Sequence, residues 1–147
     1  MDIAKCLSVI ESLCAGELPP EGGRSGPGAA GAGYRTVELE TSDGTRADRV
    51  RAPERTAEDF QACREAMAQR LDHRWGLRTP WGQLTVRVRM SRGEEIPEPW
   101  ATLGLLTDDL DLWQVPGTGR WVALGVAGRD EADVPRLLAT VTEIPPP

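Results

Sequence analysis

Apolar positions divide the chain into stretches with helical spacing and stretches with strand spacing. Ile3, Leu7, Ile10 and Cys14, widened by Cys6 and Leu13, recur every three or four residues, which predicts an amphipathic helix over 2–15 with Asp2 at the positive end of its dipole. Phe60, Cys63, Met67, Leu71 and Trp75 form a second stripe of this kind. Thr56 with Asp59 three residues on can cap that helix and Gly76 stops it, so 56–75 is the clearest helix in the chain. Alternation with period two appears elsewhere. Residues 34–52 read as a hairpin turned at Ser42-Asp43-Gly44, with Arg46, Arg49 and Arg51 facing Glu38, Glu40, Asp43 and Asp48 on a wet face. Trp81, Leu84, Val86, Val88 and Met90, set against Thr85, Arg87 and Arg89, predict a strand, and the apolar run at 101–107 predicts another.

The strongest local signal is Asp108 to Gly128, two apolar runs joined by Pro116-Gly117-Thr118-Gly119. If Val115 faces Arg120 in this hairpin, Trp113 lies opposite Val122 and Asp111 opposite Leu124, while Leu110, Leu112, Trp121, Ala123 and Gly125 share the other face. Both faces are mostly apolar, so these strands need cover on both sides, and the small residues Ala123, Gly125 and Ala127 would admit a closely packed neighbour. Residues 130–143 offer Asp130 or Asp133 as a cap and Pro135 within a first turn, which predicts a closing helix with Val134, Leu137, Leu138 and Val141 inward. The order is α-ββ-α-β-βββ-α. It predicts an α+β fold, a mainly antiparallel sheet with N-terminal, central and C-terminal helices packed on it.

The length of 147 residues fits a single domain over 1–147, interrupted by a flexible Gly/Pro-rich loop at 16–33. Within that loop Gly26 to Gly31 spells GxGxxG, but a polar coil precedes it and a strand follows, the wrong context for a dinucleotide site. Charge changes the picture more. The net charge is −6, distributed as −2, +3 and −7 over residues 1–34, 35–92 and 93–147, the last segment holding three basic and ten acidic side chains. Such a field repels nucleic acid and anionic lipid and favours a partner with a basic surface. Mean hydropathy of −0.37 argues against a membrane-embedded chain.

Candidate chemistry is sparse. Cys6, Cys14 and Cys63 have no CxxC spacing and His73 is the single histidine, so no zinc set can be assembled. Reduced thiols, and Glu11 and Leu13 just ahead of Cys14 where a lipoprotein signal would need neither, point to a cytoplasmic protein. Asp108, Asp109 and Asp111 open like a calcium loop, but Trp113 and Gly119 stand where glycine and glutamate are required. No metal, cofactor or catalytic residue is expected. The candidate partner-binding residues are Asp108, Asp109 and Asp111 at the hairpin entrance, with Glu94, Glu95, Glu98 and Trp100 in the EEIPEPW segment before it, where Pro97 and Pro99 stiffen the chain.

The run EPWATLGLLTDDLDLWQVPGTGRWVALGVAGRDEADVPRLLATVTE, with the capped helix before it, resembles the small acidic single-domain proteins of actinobacteria that include candidate immunity proteins of polymorphic toxin systems. The resemblance spans 56–143 and lies in size, acidity and the Trp-bearing hairpin. It implies a non-enzymatic module that binds and neutralises a cognate toxin domain through an acidic surface. The alternative is a secretion-chaperone-like or scaffolding homodimer formed through the apolar stripe of the first helix, and a small enzyme ranks last.

Overall fold

The computed structural model describes residues 3–16, 30–31, 33–41, 57–128 and 135–147. Among them are four helices, α1 (Ile3–Ala15), α2 (Ala57–Trp75), α3 (Leu84–Ser91) and α4 (Trp100–Leu106). Six strands accompany them: β1 (Ala30–Gly31), β2 (Tyr34–Thr41), β3 (Thr79–Gly82), β4 (Asp109–Val115), β5 (Arg120–Ala127) and β6 (Arg136–Thr142). All pairings are antiparallel and the order across the sheet is β1-β2-β6-β5-β4-β3. The class is therefore α+β. Among the described residues no helix is long and apolar enough to cross a membrane.

The hairpin has the register that alternation predicts, with Val115 opposite Arg120, Trp113 opposite Val122 and Asp111 opposite Leu124. Gly117 and Gly119 take φ of 74° and 68° in its turn, a conformation that side-chain-bearing residues avoid. Because neighbouring residues of a strand point to opposite faces, the sheet builds two cores. On one face Trp113, Val115, Val122, Leu124, Leu137, Ala139 and Val141 pack against Cys6, Leu7 and Ile10 of α1 and Phe60, Cys63, Met67 and Leu71 of α2. On the other, Leu110, Leu112 and Ala123 pack against Val86 of α3, Ile96, and Trp100 and Leu103 of α4. Arg120 ties the turn end of β5 to the C-terminus of α1, donating to the carbonyls of Cys14 at 2.7 Å and Gly16, groups the helix itself leaves unpaired.

Three segments differ from the sequence expectation. Residues 84–91 form helix α3 rather than continuing the strand of 79–82, and 100–106 form helix α4 rather than a strand. Residues 136–142 are strand β6 rather than a helix. They lie between β2 and β5, with Leu137, Ala139 and Val141 toward one core and Leu138, Thr140 and Thr142 toward the opposite side. A strand hydrogen-bonded along both edges and covered on both faces has no face turned to water, so its sequence lacks a clear alternation and can mimic a buried helix. The expected second arm of the 34–52 hairpin, the Thr56 cap, Val134 and most of the 16–33 loop lie outside the described residues. β2 itself pairs with β1 and β6, with a register shift between Glu38 and Glu40.

Candidate functional site

The aspartates at the hairpin entrance are held by arginines. Asp109 and Asp111 stand two apart on β4 and project to one face, where α2 crosses them. From α2, Arg64 Nε donates to Asp111 Oδ2 at 3.0 Å, and Arg64 Nη1 donates to Asp109 Oδ1 at 2.8 Å and Gln61 Oε1 at 3.2 Å. Arg64 is 6% exposed and Asp111 8%. Arg78, beyond the end of α2, extends the network to Glu65 at 2.8 Å, Asp72 at 3.3 Å and Asp111 at 3.7 Å. Asp72 also accepts from the Trp113 indole N–H at 3.0 Å and the Arg78 backbone N–H at 2.8 Å. Hydrogen bonding from Arg78 holds the Glu65 carboxyl below the ordinary carboxylate range, and Glu65 in turn raises Arg78. Buried charge without a partner is costly, and here one planar guanidinium bridges two carboxylates. The arrangement fastens α2 to β4, so Asp111 faces into the protein and is not a surface contact.

The remaining candidates are scattered by the same geometry. Trp100 is 1% exposed, with its indole N–H donating to the Ile144 carbonyl at 3.0 Å, so it is a core residue of the α3–α4 layer rather than a surface anchor. Glu98 is half-buried and accepts from the Thr102 backbone N–H at 3.2 Å. Burial first, and then the Glu98 charge, raise the nearby Tyr34 phenol above its ordinary value. Glu94 is exposed and pairs with Arg89 at 2.8 Å, whose hydrogen bonds hold its carboxyl below the ordinary range. Glu95 is exposed, and Asp108 and Asp109 present side chains that are 73% and 59% accessible.

The structure adds an apolar centre to this surface. Alternation at Leu84, Val86, Val88 and Met90, folded as a helix, sends residues two apart to nearly opposite sides. Val86 enters the core at 1% exposure while Leu84 and Val88, one turn apart, stand out at 71% and 38%. Leu105 on α4 is 60% exposed. The start of α3 and the end of α4 are joined at one junction. The Gln83 backbone N–H donates to the Asp108 carbonyl at 3.0 Å, and Gln83 Nε2 to Thr107 Oγ1 at 3.0 Å. Arg87 Nε donates to the Gly104 carbonyl at 2.7 Å, and its Nη2 reaches the Thr107 carbonyl and, at 3.2 Å, Asp108 Oδ1. Gly104 lets α3 come close, since a Cβ there would sit 2.8 Å from Val86 Cγ1. The signal for this surface was in the sequence: a period-two run short enough to be a helix must leave one apolar face uncovered unless a second layer meets it.

Among the described residues no group of three or more His, Cys, Asp or Glu side chains is placed to hold a metal ion. Burial pushes the Cys14 thiol up to about 11 against the opposing pull of Arg120, which makes it a poor nucleophile near neutral pH. No family model matches the chain, and no curated protein or solved structure matches it either.

Proposed function

We propose that this chain is a non-enzymatic protein-binding module that uses the α3–α4 face, and that it serves in the cytoplasm as an immunity protein neutralising a toxin domain with a basic surface. The observation that carries the reading is that the two short helices of this layer leave Leu84, Val88 and Leu105 exposed to 71%, 38% and 60%, while Arg87 of α3 holds the accessible Asp108 carboxylate at the same layer. An apolar centre with a charged rim is the usual anatomy of a binding surface, the apolar part supplying affinity and the charge supplying approach rate and orientation. Glu94, paired with Arg89 of α3, and the neighbouring Glu95 extend the rim. Because Asp108 and Glu94 each have an arginine beside them, the rim contributes selectivity more than a strong uniform field. The scaffolding alternative has less support, since Leu7 at 9% and Ile10 at 0% exposure pack inside the chain while Ile3 is half-buried.

The test is co-expression with the product of the gene immediately upstream, followed by pull-down and a growth assay. Protection by the wild type, lost in Leu84→Ser/Val88→Ser/Leu105→Ser with an unchanged melting curve, supports the reading. Protection that survives the triple substitution removes this face from it, and a self-associating chain in sizing chromatography that the same triple renders monomeric would replace the toxin by a second copy.

A further inference from the structure

We propose that the groove between α1 and α2 is a binding site for a small organic anion, an apolar body ending in a carboxylate or phosphate head. The groove lies on the opposite face of the sheet from the α3–α4 surface, so the proposal stands independently of the function above. It encloses about 410 Å³, within the range of small-molecule sites, roughly 300–1,000 Å³. Ala4 and Ser8, one turn apart on α1, have short side chains and set that wall back. Leu7 and Leu71, 9% and 1% exposed, give it an apolar floor.

Two arginines and a histidine dominate the polar lining. Arg70, His73 and Arg74 follow one face of α2 at i, i+3 and i+4. Glu11 on α1 is the one carboxylate among the lining residues, and it is ion-paired to Arg74. Asp72, between these residues in sequence, is engaged elsewhere with Trp113 and Arg78. Among the described residues Arg70 and His73 have neither an ion pair nor a side-chain hydrogen bond, which leaves a guanidinium and an imidazole N–H available to a ligand. Imidazole can donate in either protonation state, so the pair can grip an anionic head across neutral pH. In a chain of net charge −6, a concavity with an apolar floor and two available donors selects for an amphiphilic anion.

The probes are octanoate and octyl phosphate, with octanol as the neutral control, titrated into the isotopically labelled full chain at constant ionic strength. Saturable shifts of the Leu7, Ser8, Arg70 and His73 amides are expected with the anions, and the stronger of the two identifies the head group. Octanol should bind at least about tenfold more weakly, and Arg70→Ala should weaken anion binding about tenfold, as expected for losing a charge-assisted hydrogen bond. Ser8→Trp, which fills the groove from an exposed position, should abolish the shifts without changing the melting temperature. Octanol binding as well as the anions, shifts that map elsewhere, or full affinity in both variants would overturn the proposal.

Discussion

The two faces of the sheet are covered by helices of different length and are completed in different ways. On the α1–α2 side, helices of 13 and 19 residues cover the apolar face, and the buried polar groups Arg64 and the Trp113 indole N–H are matched, the first bridged to two aspartates and the second reaching Asp72. On the α3–α4 side the helices have 8 and 7 residues. There Trp81 Nε1 is buried without a hydrogen-bond partner, and Leu84, Val88 and Leu105 are left outside. Short helices cannot bury all the apolar surface that their own sequence carries. The difference separates a face pinned by buried ion pairs and hydrogen bonds from a face that leaves apolar side chains of its helices exposed.

The sharpest way to break that comparison is at Arg64. Arg64→Leu leaves buried Asp111 with only the more distant Arg78 guanidinium, at 3.7 Å, and should cost about 3 kcal/mol in a denaturant melt, whereas Arg64→Leu with Asp111→Leu should recover most of the loss. Equal losses in the single and double variants would mean that packing rather than ion pairing fastens α2 to β4. The next effect is steric. A Cβ on Gly125 would meet Leu110 Cδ2 at 2.7 Å, the Asp109 carbonyl at 3.1 Å and Thr107 Cγ2 at 3.3 Å. Gly125→Ala should therefore destabilise by about 1–3 kcal/mol through overpacking.

The two tryptophans compare the faces directly. Trp113→Phe removes a satisfied donor and should cost about 1–3 kcal/mol, while Trp81→Phe removes an unsatisfied one and should cost clearly less in the same thermal melt. The smallest effect is in the Glu65–Arg78 pair. Glu65 has a folded-state value below its ordinary one, so its contribution is complete above the ordinary glutamate value of about 4.3 and disappears as pH falls through the lower folded value. The pair is largely solvent-screened, so Glu65→Gln should flatten the acid limb of the stability curve slightly and leave neutral pH within about 1 kcal/mol of wild type.

Local patterns were legible wherever one face of an element meets the core and the other meets water. α1 and α2 fit this description, and the β4–β5 register followed from alternation and the Pro-Gly-Thr-Gly turn. The errors came where that contrast is missing. Residues 136–142 are buried on both faces, so apolar periodicity carried no direction, and the β-branched run Thr140-Val141-Thr142 was the better guide. In 100–106 the buried Trp100, Leu103 and Gly104 have helical spacing that an apolar run concealed. In 84–91 the alternation was real, but a helix used only half of it.

The candidate site was legible in part for the same reason. Charge could be counted in the sequence, but the pairing of Asp109 and Asp111 with Arg64, a residue 45 and 47 positions away, depends on the helix crossing the sheet. Trp100 reads as a surface anchor only until the second helical layer is known.

The most direct test of the account is the affinity of the purified chain for the upstream gene product, measured by biolayer interferometry for the wild type and for Leu84→Ser/Val88→Ser/Leu105→Ser. The account predicts tight binding by the wild type and a loss of at least about a hundredfold in the triple variant, as expected when apolar anchor residues are removed, with an unchanged melting temperature. Undiminished affinity in a triple variant that remains folded would contradict it.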